Sequence, residues 1–153
     1  PIDLHKLAIE ITALLAPHAL EKEIDIELVP AANPPIILGN DTAIGILIRN
    51  LVDNAIRYTP NGGKVSIAIV DTGSKFALCV TDTGPGIPYE LRERVFERFF
   101  RVLGTKATGS GLGLAIVQQI AKLHHAEDHL DRNCSGKRKP NCIHRRRNRL
   151  RFA

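Results

Sequence analysis

The chain has 153 residues with 44% apolar content, no Trp, no Met and a formal charge of +5. That length suits one domain with its own core, and no apolar run approaches the roughly 20 residues that span a bilayer. Three cysteines are too few, and odd in number, for a disulfide scaffold, which favours a reducing compartment.

Pro1 opens the chain without a methionine, as expected of a piece excised from something longer. Leu4, Leu7, Ala8, Ile11, Leu14 and Leu15 then recur at helical spacing, predicting a helix over 2–20 that ends near Pro17 to Glu21. "IDIELVP" alternates as a strand closed by Pro30, "AANPP" is a loop and "IILGN" a short strand or turn. Asn40 or Asp41 can cap the next helix, which runs to about Tyr58 and stops at "TPNGG". "KVSIAIV" and "KFALCVT" flank "DTGS" as a hairpin. "DTGPGIP" is a glycine-rich turn, and "YELRERVFERFFRV" a short helical piece leading into a loop over 104–111. "GLAIVQQIAKLHH", 113–125, is the last clear helix. This order predicts an α+β class chain: a two-layer α/β sandwich, its one mixed sheet covered by helices on one face.

The basic charge belongs to the end of the chain. Residues 1–127 hold 12 basic against 14 acidic residues, whereas 128–153 hold 9 against 2. Residues 128–153 show neither alternation nor helical periodicity, so a folded body over 1–127 and a basic tail, either non-native or disordered, are expected. Cys134, Cys142, His129 and His144 sit in or beside it, but Cys-x7-Cys-x-His fits no standard zinc finger. The tail offers charge without aromatic base readout, so no nucleic-acid partner is expected.

Within the helix ending at Tyr58, Asn50, Asn54, Arg57 and Tyr58 fall within about 100° on a helical wheel, opposite Ile44, Ile48, Val52 and Ala55. The polar residues therefore form a second face. Amides four apart can present oxygens to a hard cation, an arginine can meet phosphate oxygens, and a tyrosine ring can lie against a base. The alternative is a solvated face. In "DTGPGI", Gly84 and Gly86 let backbone approach a ligand, and Asp82 can accept from an exocyclic amine; the alternative is an ordinary turn. "GSGLGLAI" places Gly109, Gly111 and Gly113 at a helix N-terminus, which favours phosphate. No strand immediately precedes these glycines and no Gly-Lys-Ser/Thr follows, so neither a Rossmann fingerprint nor a P-loop fits. In "FERFFRV", Phe96, Phe99 and Phe100 suit packing, while Arg98 and Arg101 are either solvated or phosphate contacts. The Gly/Thr-rich loop over 102–111 has the composition of a lid.

In this order, "NLVDNAIRYTP", "DTGPGI", "FERFFR" and "GSGLGLAI" resemble the N, G1, F and G2 boxes of the catalytic domain of bacterial sensor histidine kinases. That domain belongs to the wider superfamily of gyrase, Hsp90 and MutL, with a Bergerat-type ATP-binding fold, and the resemblance covers about residues 2–127. It implies that Asn54, with Asn50 beside it, holds Mg2+ against the ATP phosphates. Asp82 would bond the adenine amino group, with Gly84, Gly86 and Ile87 shaping the pocket and Tyr58 along the base. Arg57, Arg98 and Arg101 would contact phosphates, and Gly109, Gly111, Leu112 and Gly113 would form the hinge after the lid. The implied partners are ATP, a dimerisation domain carrying the acceptor histidine, and a response regulator. The implied whole is a membrane homodimer, with this chain on the cytoplasmic side of the inner membrane.

None of His5, His18, His124, His125, His129 or His144 is followed by Glu, as the family's acceptor histidine is. The chain is thus expected to bind ATP, with no catalytic residue of its own in isolation and little or no autophosphorylation. Two other readings stay open: another ATPase or serine kinase of the superfamily, or a non-catalytic nucleotide-gated interaction module. The family also closes its sheet with a hairpin after the last helix, which the tail is not expected to continue.

Overall fold

A computed structural model describes residues 1–31, 33–73, 75–103, 109–132 and 146–152. The first pair of strands is small: β1 (Ile2–Asp3) lies antiparallel to a later strand, Ile36–Ile37. Helix α1 (Leu4–Glu21) starts at Asp3, whose carboxylate accepts from the amides of His5 and Lys6 at 2.9 and 3.1 Å. β2 (Asp25–Val29) and β3 (Ile36–Ile37) lead to helix α2 (Asp41–Tyr58). Asn40 caps α2 by accepting from Ala43 N–H at 2.9 Å.

At the far end of α2, Thr59 is extended and Pro60 follows, so the helix cannot continue. The Lys22 ammonium donates to the carbonyls of Ile56, Arg57 and Thr59 at 2.7, 3.0 and 2.6 Å. These fall among the carbonyls that a helix end leaves without a partner. Burial lowers the Lys22 pKa below its ordinary value.

β4 (Lys64–Asp71) and β5 (Phe76–Asp82) form the expected hairpin, in register from Val65↔Asp82 to Asp71↔Phe76. The segment expected as a short helical piece holds instead two 3-10 turns, Tyr89–Leu91 and Arg94–Phe96. Phe99 then turns left-handed, with φ +64°, and its N–H bonds Gly111 O at 3.0 Å, so the backbone bonds go across to the returning loop. Helix α3 (Gly113–Leu123) follows. His124, at its C-cap, accepts from Asn40 N–H at Nε2 (3.1 Å). Its Nδ1 lies 2.9 Å from Ile120 O, so one ring ties the end of α3 to the cap of α2.

The chain finishes with β6 (Glu127–Arg132) and β7 (Arg146–Phe152). The main sheet runs β2-β4-β5-β7-β6, with β2 parallel to β4 and the other pairs antiparallel. It is the mixed sheet expected, with the helices on one face. Val65, Ile67, Leu78 and Val80 alternate into one core with Ile44, Leu47, Ile48 and Leu51 of α2 and Val117 of α3.

Part of the expected tail is described as strand. Arg146–Phe152 is a strand inside the sheet, paired with β5 on one side and β6 on the other. Leu150 and Phe152, two apart, are 0% and 2% exposed, which gives the segment a core face despite its arginines. Cys134, Cys142 and His144 lie outside the described residues, as does 104–108 of the expected lid.

Candidate functional site

α2 buries Ile44, Ile48, Val52 and Ala55 against the sheet and α3, and lays Asn50, Asn54, Arg57 and Tyr58 along one cavity. Asn50 Nδ2 donates to Ile46 O one turn back at 2.8 Å, which leaves Oδ1 for the cavity side. A methyl group on Gly113 would stand 3.1 Å from Asn50 Oδ1, and 3.4 and 3.5 Å from Nδ2 and Oδ1 of Asn54. Both amides therefore meet the first residue of α3.

The opposite wall begins where β5 ends. Asp82, 2% exposed, accepts from Gly84 N–H at 2.9 Å and fixes the turn that follows. A methyl on Gly84 would lie 2.8 Å from both Asp82 Oδ1 and Tyr58 O, so only glycine lets this turn press against the end of α2. Gly86 and the buried Ile87 continue the wall.

Arg101, Gly109, Gly111 and Gly113 close the cavity from the loop side. Three expected residues stand outside its lining. Arg98 is exposed, Leu112 occupies the N-cap of α3, and Gly84 supports the wall from behind. Phe100 and Val95 face the cavity, whereas Phe99 is 72% exposed.

Sequence reasoning missed several lining residues, among them Pro85, Val102, Ser110 and Leu114, which carry no distinctive signal. It also missed Asp53, which faces the same cavity and pairs with Arg57 at 2.6 Å. The i,i+4 spacing of an acid and a base was the available signal there. Chemically the cavity joins a buried carboxylate at a strand end, two amides on a helix, arginines and a glycine-rich helix start. Such a set can hold an amine-bearing ring at one end and an anion at the other.

The family model for histidine kinase-, DNA gyrase B-, and HSP90-like ATPases matches residues 39–144. The sensor protein kinase PmrB of Pseudomonas aeruginosa is 37% identical over 138 residues, covering 90% of this chain and 28% of the relative. The chain thus spans little more than a quarter of that relative's length. Among solved structures, a mycobacterial sensor histidine kinase, MprB, superposes with a TM-score of 0.82 at 29% identity, covering 99% of this chain and 95% of that one. The nucleotide-free catalytic domain of the histidine kinase ThkA gives a TM-score of 0.82 at 28% identity, covering 99% and 92%. With its motif order, its sheet and these relatives in agreement, the chain belongs to the histidine kinase-, DNA gyrase B- and HSP90-like ATPase family.

Proposed function

We propose that the chain is the ATP-binding catalytic portion of a bacterial sensor histidine kinase, which donates the γ-phosphate of Mg-ATP to a histidine on a separate dimerisation domain. The observation that carries this reading is one cavity in which Asp82 ends a strand opposite Asn50, Asn54 and the first residue of α3. In this reading the Asp82 carboxylate accepts from the adenine amino group, and Tyr58 and Ile87 flank the ring. The phosphates lie toward the start of α3, where unpaired amides and the helix dipole favour negative charge.

The donor set fits a small hard cation. Asn50 and Asn54 both line the cavity and bring amide oxygens beside the first residue of α3, and Mg2+ takes few protein ligands while keeping waters and phosphate oxygens. When bound there, Mg2+ would neutralise the phosphates. Arg57 and Arg101 line the same cavity and supply the protein's own positive charge. Phosphoryl transfer needs mainly position and charge neutralisation from the protein, which these residues offer without a nucleophile. A regulator accepting the phosphate, and a membrane-bound homodimer containing this portion on its cytoplasmic side, complete the proposal.

Titration of a fluorescent ATP analogue tests the site. Asp82→Asn and Asn54→Ala are each expected to weaken binding by about 10-fold or more, a loss of one charged hydrogen bond or metal ligand. The Asn54→Ala loss should shrink when Mg2+ is omitted. Unchanged affinity in both variants would sink the assignment. Labelled ATP mixed with a separately made dimerisation domain tests transfer, and binding without phosphate on that domain's histidine would leave a nucleotide-gated module instead.

A further inference from the structure

We propose that Asp53 sets the phosphate affinity of this cavity by competing for Arg57: its carboxylate holds the guanidinium until a polyphosphate takes it over. The inference rests on the nucleotide reading above and extends it to a residue outside the four motif roles.

The pairing is built into α2. Asp53 and Arg57 are one turn apart, with the acid N-terminal to the base, and Arg57 Nη2 lies 2.6 Å from Asp53 Oδ2. Both side chains are about one third exposed, at 33% and 32%, and both line the cavity. The other terminal nitrogen, Nη1, crosses toward the returning loop, 2.5 Å from where a methyl on Gly109 would sit. The guanidinium is thus stationed at the loop-side mouth, one of its two terminal nitrogens held by a carboxylate.

A carboxylate is an unfavourable wall for an anionic ligand. It repels phosphate directly, and it occupies an edge of the guanidinium that bidentate phosphate binding would use. A phosphate reaching Arg57 must therefore share or displace Asp53. That cost grows with ligand charge and vanishes for a ligand without phosphate. Asp53 acts through Arg57 as a positioning residue. Its effect is to weaken the hold on every phosphate-bearing ligand, most for the triphosphate and less for the diphosphate.

The test measures affinities for ATP, ADP and adenosine with the parent chain, Asp53→Asn, Asp53→Glu, Arg57→Ala and the double variant Asp53→Asn/Arg57→Ala. Asp53→Asn keeps shape and removes charge, so ATP should bind about 2- to 5-fold tighter, the scale of a partly exposed charge pair. The gain should be smaller for ADP, absent for adenosine, reduced in the Arg57→Ala background and lessened by salt. Asp53→Glu should behave as the parent. Weaker ATP binding in Asp53→Asn, an equal gain for adenosine, or an undiminished gain without Arg57 each overturns the proposal. A parent that binds ATP while Asp53→Asn matches it refutes this inference alone, and a parent that binds no nucleotide refutes the nucleotide reading with it.

Discussion

At Gly111 two constraints act on a single atom position. The backbone φ is +75°, and an added methyl would come 2.7 Å from the carbonyl carbon of Phe99. Gly111 O also accepts from Phe99 N–H at 3.0 Å, so this contact joins the returning loop to the segment before it. Gly111→Ala is expected to destabilise the fold by about 1–3 kcal/mol through backbone strain and overlap. Urea unfolding should show a lower midpoint at unchanged slope. The glycine spacing over 109–113 was plain in the sequence because glycine has few other reasons to recur there. The two arginines of "FERFFR" were not separable by sequence. They are three apart, but the left-handed Phe99 lies between them, so Arg101 lines the cavity while Arg98 does not. Asp53 was hidden for a different reason: an acid on a polar helix face reads as a solvated charge unless its i,i+4 partner is known to face a cavity.

Among the elements, α2 was the most legible, since its core and cavity faces differ at helical period and both ends carry stop signals. What the sequence concealed is how its site end is held. Lys22, more than thirty residues earlier, gathers the carbonyls of Ile56, Arg57 and Thr59. Lys22→Met keeps the aliphatic stem and removes the three donors. It should cost about 1–3 kcal/mol by leaving helix-end carbonyls without that partner, read as a fall in Tm of several degrees. The 3-10 turns at 89–96 were misjudged for a related reason. Their apolar residues fit a helical period, yet the backbone there closes into separate 3-10 turns and the left-handed Phe99 breaks any continuation. β7 was obscured by its arginines, because only Leu150 and Phe152 reveal a buried face.

For the whole molecule, the sandwich follows from element order, and strand order decides its vulnerability. β7 is last in sequence but lies between β5 and β6, so its Leu150 and Phe152 complete the core beside Leu78. Removing residues 146–153 would withdraw two buried side chains, each worth about 1.5–3 kcal/mol, and bare the edge of β5. The truncated chain is expected to lose cooperative thermal unfolding and to self-associate, visible by calorimetry and size-exclusion chromatography. The same strand order has a bearing on biogenesis. A ribosome makes roughly 5–20 residues per second, and β5 emerges well before the strand that seals it. During that interval the hydrogen-bonding edge from Phe76 to Asp82 stands open. The nascent chain therefore passes through a stage at which a holdase chaperone, or a neighbouring nascent copy, meets an unpaired strand that the finished molecule never presents.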